Sequence, residues 1–143
     1  MKLTENFSLE ELTVSEIGVR KGLDNTPNAT EIANLVRTAG LLEQVRALLK
    51  KPIIVNSGFR SKAVNDAVGS KDTSQHRIGC AADIRVPGMT PKQVVEACIA
   101  ADIPFDQIIE EFGSWTHISV PSNAGDGPRR QALIIDKAGT RYF

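Results

Sequence analysis

His76 and His117 are the only two histidines of the chain, and each stands where it could bind a metal. His76 sits on a polar stretch, residues 69–80, which leads straight into Ala82-Asp83-Ile84-Arg85-Val86. The alternation of apolar and polar side chains in that segment predicts a β-strand, with Asp83 and Arg85 on its polar face. His117 belongs to a second strand candidate, residues 116–120, where His117 and Ser119 share one face and Thr116, Ile118 and Val120 the other. If these strands are neighbours, Asp83 and His117 meet on one polar surface. Two imidazoles and one carboxylate suit Zn²⁺, which takes N and O ligands at roughly 2.0–2.2 Å. Three protein ligands leave a fourth position open, the pattern of a catalytic ion rather than a closed structural one. The chemistry expected of such a site is hydrolysis, with a nearby carboxylate to move the proton.

The elements that must position these groups follow from local signals. Ser8-Leu9-Glu10-Glu11 is a capping box with Phe7 as a staple, so a short helix starts there. Residues 18–28, with Gly, Asn, Asp and Pro, read as a loop. Asn28 followed by Glu31 marks a second start, and Ile32, Leu35, Val36, Ala39, Leu42, Val45, Leu48 and Leu49 recur at helical spacing up to Pro52. Gly40 weakens the middle of that helix. Ile53-Ile54-Val55 is β-prone, Ser57 to Ser61 is a turn, and 62–68 can form a short helix. Thr90-Pro91 opens a helix to about Ala101. Strands are expected over 107–112, 116–120 and Gln131 to Ile135. Helices come first and most strands later, which predicts an α+β fold: a small antiparallel sheet flanked by helices, in a single domain over residues 1–143.

Composition narrows the function classes. Lys+Arg and Asp+Glu are 17 each, a balance that argues against a nucleic-acid partner. No stretch is long and apolar enough for membrane insertion, and the polar N-terminus lacks a signal-peptide pattern. The expectation is synthesis in the cytoplasm, with any exit depending on other proteins. Cys80 and Cys98 form no metal-type pair and are expected to be buried thiols. Nothing marks an oligomer interface.

Three ordered segments resemble the zinc D-alanyl-D-alanine carboxypeptidase family, and most closely its phage-type branch of L-alanyl-D-glutamate endopeptidases. They are Ser57-Gly58-Phe59-Arg60-Ser61, then Ser74-Gln75-His76-Arg77-Ile78-Gly79-Cys80-Ala81-Ala82-Asp83, then Glu111-Phe112-Gly113-Ser114-Trp115-Thr116-His117-Ile118-Ser119. The resemblance implies that His76, Asp83 and His117 ligate Zn²⁺. It implies that Arg60 donates to a peptide carbonyl or carboxylate, the alternative being a structural ion pair, and that Ser74 lines the same cleft. Ser57 and Ser74 also suit simple turn stabilisation, and Trp115 suits either a cleft wall or the core. Some members carry the catalytic acid three residues before the last histidine, but that position here is Ser114. The acid must therefore be Glu110 or Glu111. The phage-type branch favours Glu111, while alternation leaves both open because Ile108 and Ile109 are both apolar.

The resemblance implies a peptidase that hydrolyses bonds next to D-amino acids in the peptidoglycan stem peptide or cross-bridge. An endolysin-type endopeptidase of a phage or prophage, acting on the wall after release or from a virion, is the expectation. D-Ala-D-Ala carboxypeptidase action is the alternative. The fold also resembles the hedgehog signalling domain, where a zinc site can serve binding or structure, so a non-catalytic zinc-stabilised module is a second class.

Overall fold

A computed structural model describes all residues, 1–143. The capping signals start helices where the sequence places them. Ser8 and Glu11 form a reciprocal box at α1 (Leu9–Leu12), after α1 a turn leads to α2 (Glu16–Lys21), and Asn28 and Glu31 cap α3 (Ala29–Leu49) in the same way. The strand β1 (Ile54–Ser57) follows, then α4 (Lys62–Ala67) and a single 3₁₀ turn, Gln75–Ile78. β2 (Ala81–Arg85), α5 (Pro91–Ala100), β3 (Gln107–Glu111), β4 (Trp115–Ser119), β5 (Gln131–Asp136) and β6 (Gly139–Tyr142) complete the chain.

The six strands form one sheet in the order β1-β2-β4-β3-β5-β6. All pairings are antiparallel except β3 with β5, which is parallel. The fold is thus α+β as expected, and the sheet is mostly rather than wholly antiparallel. One face carries the core. Ala82, Ile84, Ile108 and Ile118 pack there beneath Leu35, Ala39, Leu42 and Val45 of α3 and Val94, Val95 and Cys98 of α5. The opposite face carries Asp83 and His117, paired across β2 and β4, and it is left for chemistry.

Two elements differ from the sequence expectation. Residues 16–21, the last four of them assigned to a loop, are helical. Gly18 there argues against a helix by propensity, but a Cβ would come within 3.1 Å of Ser15 Oγ and 3.4 Å of Val64, so glycine allows α2 to sit close on α4. Strand β6 was not anticipated either, because Gly139-Thr140-Arg141-Tyr142 is short and wholly exposed. Both cysteines are buried free thiols, as expected, and no helix is long and apolar enough to cross a membrane.

Candidate active site

Register brings the three predicted ligands together. Asp83 on β2 is the direct cross-strand partner of His117 on β4, which puts both side chains on the face opposite the core. His76 arrives from the 3₁₀ turn, which Ser74 initiates: its Oγ accepts from the His76 backbone N–H at 3.3 Å. Gly79, at φ +84°, ends the turn and feeds the chain into β2. A Cβ on Gly79 would lie 2.7 Å from the Glu31 carbonyl oxygen, so only glycine lets the turn lie this close to α3.

One carboxylate oxygen, Asp83 Oδ1, lies 3.2 Å from His76 Nε2 and 3.1 Å from His117 Nδ1. One ligand atom from each residue falls within 4.8 Å of the others. These are the separations expected of donors sharing a tetrahedral ion with bonds of roughly 2.0–2.2 Å. The second nitrogen of His76, Nδ1, lies 2.7 Å from the Gly58 carbonyl oxygen. Donation there fixes the tautomer and leaves the Nε2 lone pair pointing at the cluster. Burial holds the His76 pKa below its ordinary value despite the opposing pull of Asp83, so the imidazole is neutral and ready to ligate at pH 7. Burial would raise Asp83, but the two imidazoles outweigh it and keep this carboxyl far below the usual carboxylate range. A neutral His76 imidazole beside an ionised Asp83 carboxylate suits a divalent metal, which binds deprotonated donors.

Around the cluster, Ser57 is the β1 partner of Asp83 across a local irregularity in the register. Its Oγ accepts from Arg60 Nε at 3.4 Å. The Arg60 guanidinium reaches Asn65 Oδ1 at 3.4 Å and Asp83 Oδ2 at 3.6 Å. Burial pulls the Arg60 pKa down, with Asp83 and Glu111 acting against that; the group stays charged.

The adjacent glutamates separate by face. Glu111 pairs with Trp115, two residues from His117, and so lies on the same side as the cluster. Glu110 pairs with Thr116 and turns to the other side, where the charge of Arg141 is its neighbour. Burial raises the Glu111 pKa first and the nearby Asp83 carboxylate raises it further, against the pull of His117, Trp115 and Arg60. Trp115 shares the site face and tilts against Phe112 at 5.9 Å between ring centroids. His76, Asp83, His117, Arg60, Ser57, Glu111 and Trp115 therefore gather at one place, whereas Glu110 does not and Ser74 is engaged in capping.

Two contributors carried no sequence signal as functional groups. The Gly58 carbonyl is a backbone atom, and Asn65 is buried in α4, where its amide bonds the Lys71 carbonyl at 2.9 Å as well as receiving Arg60. A glycine between Ser57 and Phe59 was the only hint: a Cβ on Gly58 would overlap the Leu12 carbonyl.

A stretch 46% identical over 57 residues is shared with the zinc D-Ala-D-Ala carboxypeptidase of Streptomyces albus G. That stretch covers 39% of this chain and 22% of the relative, so only a minor part of the relative's length is matched. The family model described as Peptidase M15 matches residues 5–119, which include every residue of the cluster. The chain therefore belongs to the peptidase M15 family.

Proposed function

We propose that this chain is a zinc-dependent peptidoglycan peptidase that hydrolyses a peptide bond next to a D-amino acid. The observation that carries the proposal is the His76–Asp83–His117 cluster, whose donor atoms lie within 4.8 Å of one another on the sheet face opposite the core. In this reading those three side chains hold Zn²⁺, which supplies Lewis acidity toward the scissile carbonyl and a water of lowered pKa. Glu111, raised in pKa and facing the cluster, takes a proton from the attacking water and returns it to the leaving amine nitrogen. Arg60, held by Ser57 and Asn65, presents a fixed guanidinium to a carbonyl or carboxylate of the peptide. Trp115 walls the cleft beside Glu111.

The finer reading is an endolysin-type endopeptidase of a phage or prophage, reaching the wall after release or from a virion. It rests on the phage-type likeness of the segments around Arg60, His76 and His117. A second reading, removal of a terminal D-alanine, is favoured by the name of the Streptomyces relative. Mass spectrometry of purified peptidoglycan digested with the protein tests both. New amino termini within the stem or cross-bridge support the endopeptidase, and loss of one alanine mass supports the carboxypeptidase. No product, or equal product after complete chelation, overturns the zinc peptidase.

A further inference from the structure

The site face continues past the cluster along β1. Ile54 pairs with Arg85 and Ser57 with Asp83, so Arg85 lies one step along the same polar row as the proposed ligand. β1 is an edge strand, and residues of α2 face it across a shared surface depression. Between them lie two adjoining hollows of about 240 and 710 Å³, which share Ser15, Glu16, Arg20 and Asn56 and so form one groove. Its inner end is lined by Ser57 and Arg60 and its outer end by Arg85. The larger hollow alone has the volume of a small-ligand site, roughly 300–1,000 Å³.

The lining is unusual in two ways. Val14, Val19, Ile54 and Val68 are exposed by 46, 84, 39 and 44%, so much of the chain's exposed aliphatic surface is concentrated along this one groove. Three guanidiniums, Arg60, Arg20 and Arg85, run along it against one carboxylate, Glu16. Glu16 approaches Arg20 only to 3.9 Å with both side chains exposed, too weak a pair to hold Arg20 from a ligand. The Arg85 Nε donates to Asn56 Oδ1 at 3.1 Å, which steadies the guanidinium with no acidic partner on its terminal nitrogens. Apolar walls with spaced, forked donors suit an extended peptide bearing carboxylates.

We propose that the α2–β1 groove is a subsite for the acidic part of the substrate peptide, in which Arg20 and Arg85 receive carboxylates while Arg60 holds the end nearest the scissile bond. This deepens the peptidase reading and rests on it for the identity of the ligand. A peptide with free side-chain carboxylates binds along the free edge of β1, and amidation of those carboxylates removes the charge that the arginines read.

The test compares one D-residue-containing stem peptide with its side-chain-amidated form, using the zinc-loaded protein and its Arg20→Ala, Arg85→Ala and double variants. The wild type should cleave the free acid with the lower KM. The double variant should raise that KM by about tenfold or more, as loss of charge-assisted hydrogen bonds does, and bring the two peptides to similar kcat/KM. Arg20→Lys should recover part of the preference, since charge survives without the fork. Calorimetric binding of the same peptides to Glu111→Gln protein separates the two claims. A charge preference in binding that depends on Arg20 and Arg85, with neither peptide cut by wild type, keeps the groove and overturns the peptidase. Binding or cleavage that ignores amidation, or a double variant with its full preference intact, overturns the groove.

Discussion

Glu110 and Glu111 are neighbours of the same chemistry, and the pairing of β3 with β4 gives them opposite surroundings. If Glu111 moves the proton, Glu111→Gln should lower kcat by about 10²–10⁴-fold while the urea midpoint stays close to wild type. Glu110→Gln should leave kcat within about twofold, as expected for a side chain on the opposite face. Equal losses in both variants would remove the assignment. Alternation could not make this choice in the sequence because β3 is an inner strand. Ile108 faces the α3–α5 core and Ile109 is buried on the other side, so both faces demand apolar residues and the period of two vanishes. His76 and His117 were legible because the chain has only two histidines, and Asp83 because its strand alternates cleanly. The Gly58 carbonyl was not, since backbone groups leave no trace in residue type. Gly58→Ala tests its part: the new methyl group would collide with the Leu12 carbonyl and displace the acceptor of His76 Nδ1. Zinc affinity should fall by about 10–100-fold, read by competition with a chromogenic chelator; unchanged affinity would show that this carbonyl does not orient the ligand.

Elements are tied to the site by a polar clamp on the side away from the groove. Asp106, 3% exposed at the entry to β3, accepts from Arg129 through its backbone N–H at 3.0 Å and its side chain at 3.0 and 2.7 Å. It also accepts from Gln75, the residue before His76, at 3.1 Å. The clamp joins the 3₁₀ turn, β3 and the segment leading into the parallel strand β5. Burial alone would raise the Asp106 pKa, but the Arg129 and Gln75 hydrogen bonds prevail and hold it below the ordinary value. Asp106→Ala should cost about 1–3 kcal/mol in urea unfolding, at the lower end because half-exposed Arg129 can return to water. The pH dependence has a definite sign. A depressed folded pKa gives stability that is fully present above the unfolded value, about 3.9, and is lost as pH falls through the folded one. The gap between wild type and Asp106→Ala should thus be flat at neutral pH and narrow on acidification below that value; a gap that widens would contradict the charged clamp. Sequence signals at this scale were uneven. Capping signals located α1 and α3, and Thr90-Pro91 located α5, to within a residue or two, because all of these are local patterns at helix starts. α2 depends on contact with α4, and the parallel placing of β5 on β3 on a partner far away in the chain, and neither can be inferred from a local window.

At the scale of the molecule, the proposed ion and the hydrophobic core lie on opposite faces of one sheet. The core of 21 buried residues joins α3, α5 and the sheet without using any of the three proposed ligands. A chain of 143 residues can bury enough surface to fold on such a core. Chelation should therefore leave a folded protein with native far-ultraviolet dichroism and a single cooperative unfolding transition. The ion adds stability by mass action, about 4 kcal/mol at a free concentration a thousandfold above Kd, or roughly 10–15 °C in Tm for a domain of this size. The His117→Ala variant should lose that zinc-dependent increment, while its metal-free form still unfolds cooperatively at a Tm lowered by the loss of the buried His117–Asp83 contact. If chelation instead leaves an unfolded or molten chain, the ion is a structural staple, and a zinc-stabilised binding module becomes the better description. A folded apoprotein that regains both Tm and wall hydrolysis with zinc points to a site carried by the fold and available for catalysis.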